Sequence, residues 1–162
     1  MDLQTLFAMQ DRLNKRIRAE HHLENEDLLT EQVLALEVEL GELANETRCF
    51  KYWSQKPPAA REVILEEYVD GLHFILSLGI EMGFSDRPLN FEQFEETSLV
   101  EQFQNVFDQI SELNKRRDFY TYEQLFSQFL HLGKLLGFTN EEITEAYMKK
   151  NLVNHKRQDE GY

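Results

Sequence analysis

From Tyr68 to Ile80 the chain reads YVDGLHFILSLGI, and Asp70 is the only formal charge in that run. A helix that is apolar on nearly every side is buried on nearly every side, so this segment belongs at the centre of the fold. It is too short to cross a bilayer. Placing an unpaired carboxylate there costs several kcal/mol, roughly, unless a hydrogen bond or a cation compensates it. The segment therefore predicts both a core and a polar event inside that core.

The rest of the chain has to wrap this helix, and its pattern is helical almost throughout. Only three prolines and seven glycines interrupt it, and strand-like alternation is missing. The periodicity predicts helices over 2–20, 27–47, 59–83, 92–116, 121–137 and 139–152, so the expected fold is an all-α bundle of about six helices within a single domain, 1–162. Thr30 with Glu31 suggests the second start, and Pro57-Pro58 opens the third helix. Gly83 and Arg87-Pro88 stop the apolar helix. Phe94, Leu99, Phe103, Val106, Phe107, Ile110 and Leu113 lie toward one side of the fourth helix, and Thr139-x-x-Glu142 forms a capping box before the sixth.

A net charge of −13 argues against nucleic-acid or anionic-membrane partners, because nothing would offset phosphate repulsion. The start, MDLQTLFAMQ, lacks the pattern of a signal peptide, and no run of 18 apolar residues occurs, so the expected location is cytoplasmic. The single cysteine, Cys49, reads as a buried thiol beside aromatic residues.

Two acidic pairs at i,i+3 spacing, Glu39/Glu42 and Glu67/Asp70, each present two carboxylates to one side of a helix. Spacing alone means nothing here: 30 acids among 162 residues give about five such pairs by chance, and five occur. Context separates these two. Glu39 and Glu42 flank the stripe Val33, Leu36, Leu40, Leu43, and Asp70 lies in the apolar helix, whereas the other pairs sit in polar surroundings or first turns. A divalent cation between two facing helices and a solvated, salt-bridged face both fit the spacing. Near the other end, Lys150, Asn154 and Arg157 fall on one helical face or its continuation, the local basic patch that a phosphate site in an acidic protein needs. A basic helix C-terminus stabilised by the macrodipole is the ordinary alternative.

Taken together, the four helix-borne acids and the terminal run YMKKNLVNHKRQDEGY resemble the Mg²⁺-dependent all-α nucleoside triphosphate pyrophosphatases, and more specifically the dimeric dUTPase family. LFAMQDRLN, at Leu6–Asn14, resembles the family's first-helix motif. The acidic pairs resemble its E-x-x-E and E-x-x-D motifs, and the aromatic segment Phe50-Lys51-Tyr52-Trp53 and the run His73–Ser77 fall where relatives carry similar residues. The terminal match, at Tyr147, Lys150, Asn151, Asn154, Arg157, Gln158, Gly161 and Tyr162, is the specific one. The acidic motifs are shared with MazG-like pyrophosphatases of other base preference, such as dCTP or modified nucleotides, which stand as the alternative reading.

The resemblance implies hydrolysis of dUTP, with dUDP a further candidate substrate, to dUMP and pyrophosphate. It implies a homodimer and Mg²⁺, about two or three ions with Mn²⁺ as substitute, held by Glu39, Glu42, Glu67 and Asp70. Glu39 is the expected general base. Lys150, Asn154, Arg157 and Tyr162 are expected at phosphate and sugar, and Gln10, Asn14, Trp53 and Phe74 at the base. Each has an ordinary structural counterpart: Trp53 as a core or interface anchor, Gln10 and Asn14 as a surface amide pair, His73 as a hydrogen-bonded core histidine. Gly71-Leu72 stands where some relatives are bulkier, which bears on the shape of the base pocket, and segment 85–120 is expected to be compact.

Overall fold

The computed structural model describes every residue, Met1–Tyr162, as six helices and no strand. They are α1 (Leu3–Glu20), α2 (Leu29–Thr47), α3 (Arg61–Glu81), α4 (Leu99–Arg116), α5 (Phe119–Leu135) and α6 (Asn140–Asp159). The apolar run lies in α3, which packs against α1, α2, α5 and α6. Tyr68, Val69, Leu72, Ile75, Leu76 and Leu78 of α3 are all buried in one continuous core.

Two tyrosine hydroxyls lock α3 to α5. Tyr68 Oη donates to the Phe129 carbonyl and Tyr122 Oη to the Ile75 carbonyl, each at 2.9 Å, so the phenols are buried without an unmet donor. Their close approach requires glycine opposite. A Cβ at Gly133 would stand 2.5 Å from Tyr68 Oη, and one at Gly79 would collide with Tyr122 Oη. Gly133 therefore marks a close contact between α5 and α3. Gly71 likewise faces the Phe129 ring of α5 and has no part in the cavity described below.

Several boundaries differ from the sequence expectation for identifiable reasons. Helix α4 starts at Leu99 and not at 92, because Ser98 and Glu101 form a capping box there. The preceding strap runs along α5 instead. Asn90 N–H donates to Glu123 at 2.6 Å, Glu92 N–H to Ser127 Oγ at 3.2 Å, and Phe91 packs on Phe126. Phe94, assigned from periodicity to the α4 face, packs against His131 from this strap. Helix α3 stops at Glu81, where Gly83 takes φ 75° and the Phe84 N–H returns to the Gly79 carbonyl at 2.7 Å; Arg87-Pro88 lies beyond a turn already made.

Helix α6 opens on the expected Thr139/Glu142 box but continues to Asp159, seven residues past the expected end at 152. Arg16 explains the extension. Its guanidinium bonds the His155 carbonyl at 3.1 Å and Asp159 at 2.5 Å, tying the last turns of α6 to α1. This extra length carries Asn154 and Arg157 on a helix alongside α1 and α3.

Candidate functional site

Helices α1, α2, α3 and α6 enclose a cavity of about 380 Å³ open on one side. Gln10, Asn14 and Arg18 enter it from α1, Glu31, Gln32 and Glu39 from α2, Asp70, His73, Phe74 and Ser77 from α3, and Lys150, Asn154 and Arg157 from α6. Four segments scattered over the chain thus meet at one concave surface with an acidic wall, a cationic wall and an amide-lined end.

The acidic wall arises because α2 and α3 pack side by side with Glu39, Glu67 and Asp70 on their facing sides. Oxygens of these three carboxylates lie within 4.8 Å of one another. Burial, followed by the Asp70 charge and a contact with Glu42, pushes the Glu39 carboxyl up to about 8. Burial and the Asp70 and Glu42 charges raise Glu67 as well. Glu39 Oε2 is buried with no hydrogen-bond partner. A cluster of crowded acids with an orphaned buried oxygen is under-compensated, and hard oxygens in that arrangement fit a divalent cation. Glu42 is more exposed; it contacts Glu39 and lines an outer recess with Glu46 and Glu67.

Lys150 stands between the acidic and cationic walls. Its Nζ lies 2.9 Å from Asp70 Oδ2 and 2.9 Å from Glu66 Oε1. Burial works against its charge, but Glu66 and Asp70 outweigh that and hold the ammonium above its usual range. Asp70 is raised in spite of the pair, because its burial exceeds what Lys150 returns. Glu66 was not singled out in the sequence, since its partner lies on a helix more than eighty residues away.

At the opposite end, Gln10 is 3% exposed, which removes it from the surface. Its Oε1 accepts from Tyr147 Oη at 2.8 Å and faces His73 Nδ1 at 2.6 Å, and its Nε2 donates to Asn14 Oδ1 at 2.9 Å. Ser77 Oγ donates to the same Asn14 oxygen at 3.2 Å. His73 stacks on Tyr147 with ring centroids 4.2 Å apart, and burial lowers its pKa to about 3, so the imidazole is neutral. The expected core histidine is thus also part of the cavity wall.

Four of the sequence candidates do not line the cavity: Glu42 and Glu67 line the outer recess, and Trp53 and Tyr162 lie apart from both. Trp53 is 64% exposed in the turn after α2, with Phe50 and Tyr52 against its edges. Tyr162 is 75% exposed, its ring 5.2 Å from the Arg157 guanidinium. Conversely, Arg18, Glu31 and Gln32 line the cavity without having been read from the sequence as site residues. They carry no motif; only the packing of α1 and α3 against α2 brings them there.

A family model described as dUTPase matches residues 2–162, and the chain belongs to this family in its all-α form. It is an enzyme, a nucleoside triphosphate pyrophosphatase acting as a dUTP diphosphatase. Comparison with curated proteins returns no match.

Proposed function

We propose that this chain hydrolyses dUTP to dUMP and pyrophosphate with Mg²⁺ held by Glu39, Glu67 and Asp70, and with Glu42 completing the set from the outer recess. One observation carries the reading: Glu39 and Asp70 of the crowded acidic cluster and the cations of α6 line a single cavity whose far end is amide-lined. When bound, the divalent ions supply positive charge that neutralises the triphosphate and polarises the phosphoryl group under attack.

The chain's own residues do the rest. Glu39 accepts the proton of the attacking water at a carboxylate oxygen held close to Glu67 and Asp70. Lys150 and Arg157 present ammonium and guanidinium groups to phosphate oxygens, offsetting the repulsion of an acidic protein. Asn154, between them on the same helix, orients sugar or phosphate oxygens. Phe74 offers a ring face at the amide end, where Asn14 reads the base.

The reading takes 1–162 as one functional unit located in the cytoplasm and without nucleic-acid or membrane partners; no helix is long and apolar enough to cross a membrane. It takes the assembly as a homodimer. Support for that comes from apolar side chains left uncovered, among them Leu34 and Val38, one turn apart on α2. Trp53 and Tyr162 keep their proposed roles at base and phosphate only if a second copy or substrate draws them in.

The test is release of pyrophosphate from dUTP, dUDP, dCTP, dTTP and UTP with Mg²⁺, Mn²⁺ or chelator. The expected result is turnover of dUTP that requires a divalent ion. Equal rates on dCTP would replace the uracil reading with that of a MazG-like pyrophosphatase of another base preference.

A further inference from the structure

The amide end of the cavity has a definite hydrogen-bond polarity, imposed by His73 and Ser77 in its wall and by Tyr147 behind it. Asn14 Oδ1 already accepts from Gln10 Nε2 and Ser77 Oγ, whereas its Nδ2 has no partner within the chain. Asn14 lines the cavity, so the group it offers to a ligand is a donor. Gln10 offers no acceptor, because Tyr147 and His73 occupy its oxygen, and its Nε2 gives one N–H to Asn14, so any group it has left is also a donor.

The reversed network, with both amides flipped, is chemically conceivable and would present an acceptor instead. It is disfavoured at two points. Tyr147 would have to turn its proton to the Leu6 carbonyl, 3.4 Å away, and accept from Gln10 in place of the 2.8 Å bond it now donates. His73 would have to carry its proton on Nε2, which is buried with no partner, and an orphaned buried N–H is rarer and costlier than an unused lone pair.

We propose that Tyr147 and His73, acting through Gln10, and Ser77, acting directly, fix Asn14 as a hydrogen-bond donor, so that the choice of uracil over cytosine depends on Tyr147, a residue outside the cavity lining. Uracil carries an acceptor at O4, which this donor matches; cytosine carries an amino donor there, which opposes it. A site built for one polarity leaves a buried group unpaired with the other base, the condition under which discrimination is large. The inference rests on the reading that Asn14 lies at the base subsite.

The test compares kcat/KM for dUTP and dCTP, with Mg²⁺, in the wild type and in Tyr147→Phe, Ser77→Ala and Asn14→Ala. Asn14→Ala is expected to collapse the dUTP preference. Tyr147→Phe is expected to narrow the dUTP/dCTP ratio about tenfold, by lowering dUTP and not dCTP, and Ser77→Ala to narrow it a few-fold. Loss of fold or general damage would lower both nucleotides together, so the ratio separates positioning from structure. Should Tyr147→Phe fail to fold, Ser77→Ala carries the same prediction. A ratio unchanged in both variants while Asn14→Ala collapses it overturns the relay and spares the base subsite. A ratio unchanged in Asn14→Ala removes the subsite, and the relay with it.

Discussion

The two ends of one cavity differ in how far their polar groups are satisfied without a ligand. At the amide end, Gln10, Asn14, Ser77 and Tyr147 exchange hydrogen bonds of 2.8–3.2 Å, and the buried imidazole stays neutral. At the acidic end, three carboxylates crowd within 4.8 Å, one oxygen is buried without a partner, and Lys150 is the one cation paired with the cluster. The first end is organised before anything binds. The second stores repulsion that a bound cation would relieve, and such binding would stabilise the fold itself.

This contrast fails most visibly if acids can be removed without cost to turnover. Glu39→Gln and Asp70→Asn are each expected to lower kcat by about 10³-fold or more in steady-state pyrophosphate release. Changes at the cationic wall come next. Lys150→Ala and Arg157→Ala are expected to cost about 10- to 100-fold in kcat/KM for dUTP, with Lys150→Ala also freeing Asp70 of its only ion-pair partner.

Stability should move in the opposite sense to activity at Glu39. Its folded carboxyl, at about 8, lies above the usual 4.5, so the folded chain binds more protons than the unfolded one between those values. Stability of the metal-free protein therefore falls as pH rises from about 4.5 to 8, and thermal melts in chelator should show Tm declining across that window. Glu39→Gln should flatten the decline and raise the chelated Tm at pH 8 by about 2–4 °C. Asp70→Asn should not raise it, because it also breaks the 2.9 Å pair with Lys150. The smallest expected effect is at the exposed turn: Trp53→Ala should leave the chelated Tm within about 2 °C, since the ring is 64% exposed.

The all-α class was legible because the Tyr68–Ile80 run and the scarcity of glycine and proline leave helix as the one consistent pattern. Local caps were legible where the motif was sought, at Thr139/Glu142, and missed where periodicity ran across them, at Ser98/Glu101, which pulled Phe94 into the wrong element. The acids of the two motifs could be named as candidates, but not the crowding that raises them, which depends on how α2 packs on α3. Glu66 was invisible for a related reason: its meaning comes from Lys150, on a helix distant in sequence. The polarity of the amide end is further still from the sequence. Gln10 and Asn14 are legible as an i,i+4 pair, yet which way they point is decided by Tyr147 and His73, on two other helices.

The central claim is that the acids of α2 and α3 are completed by a divalent cation, and a Mg²⁺ titration of Tm at pH 8 tests it most directly. The wild type should rise saturably with Mg²⁺ above its chelated value, by more at pH 8 than at pH 5, and Glu39→Gln and Asp70→Asn should lose most of that rise. A melting temperature indifferent to Mg²⁺ at both pH values, or a rise kept intact in both variants, would contradict it.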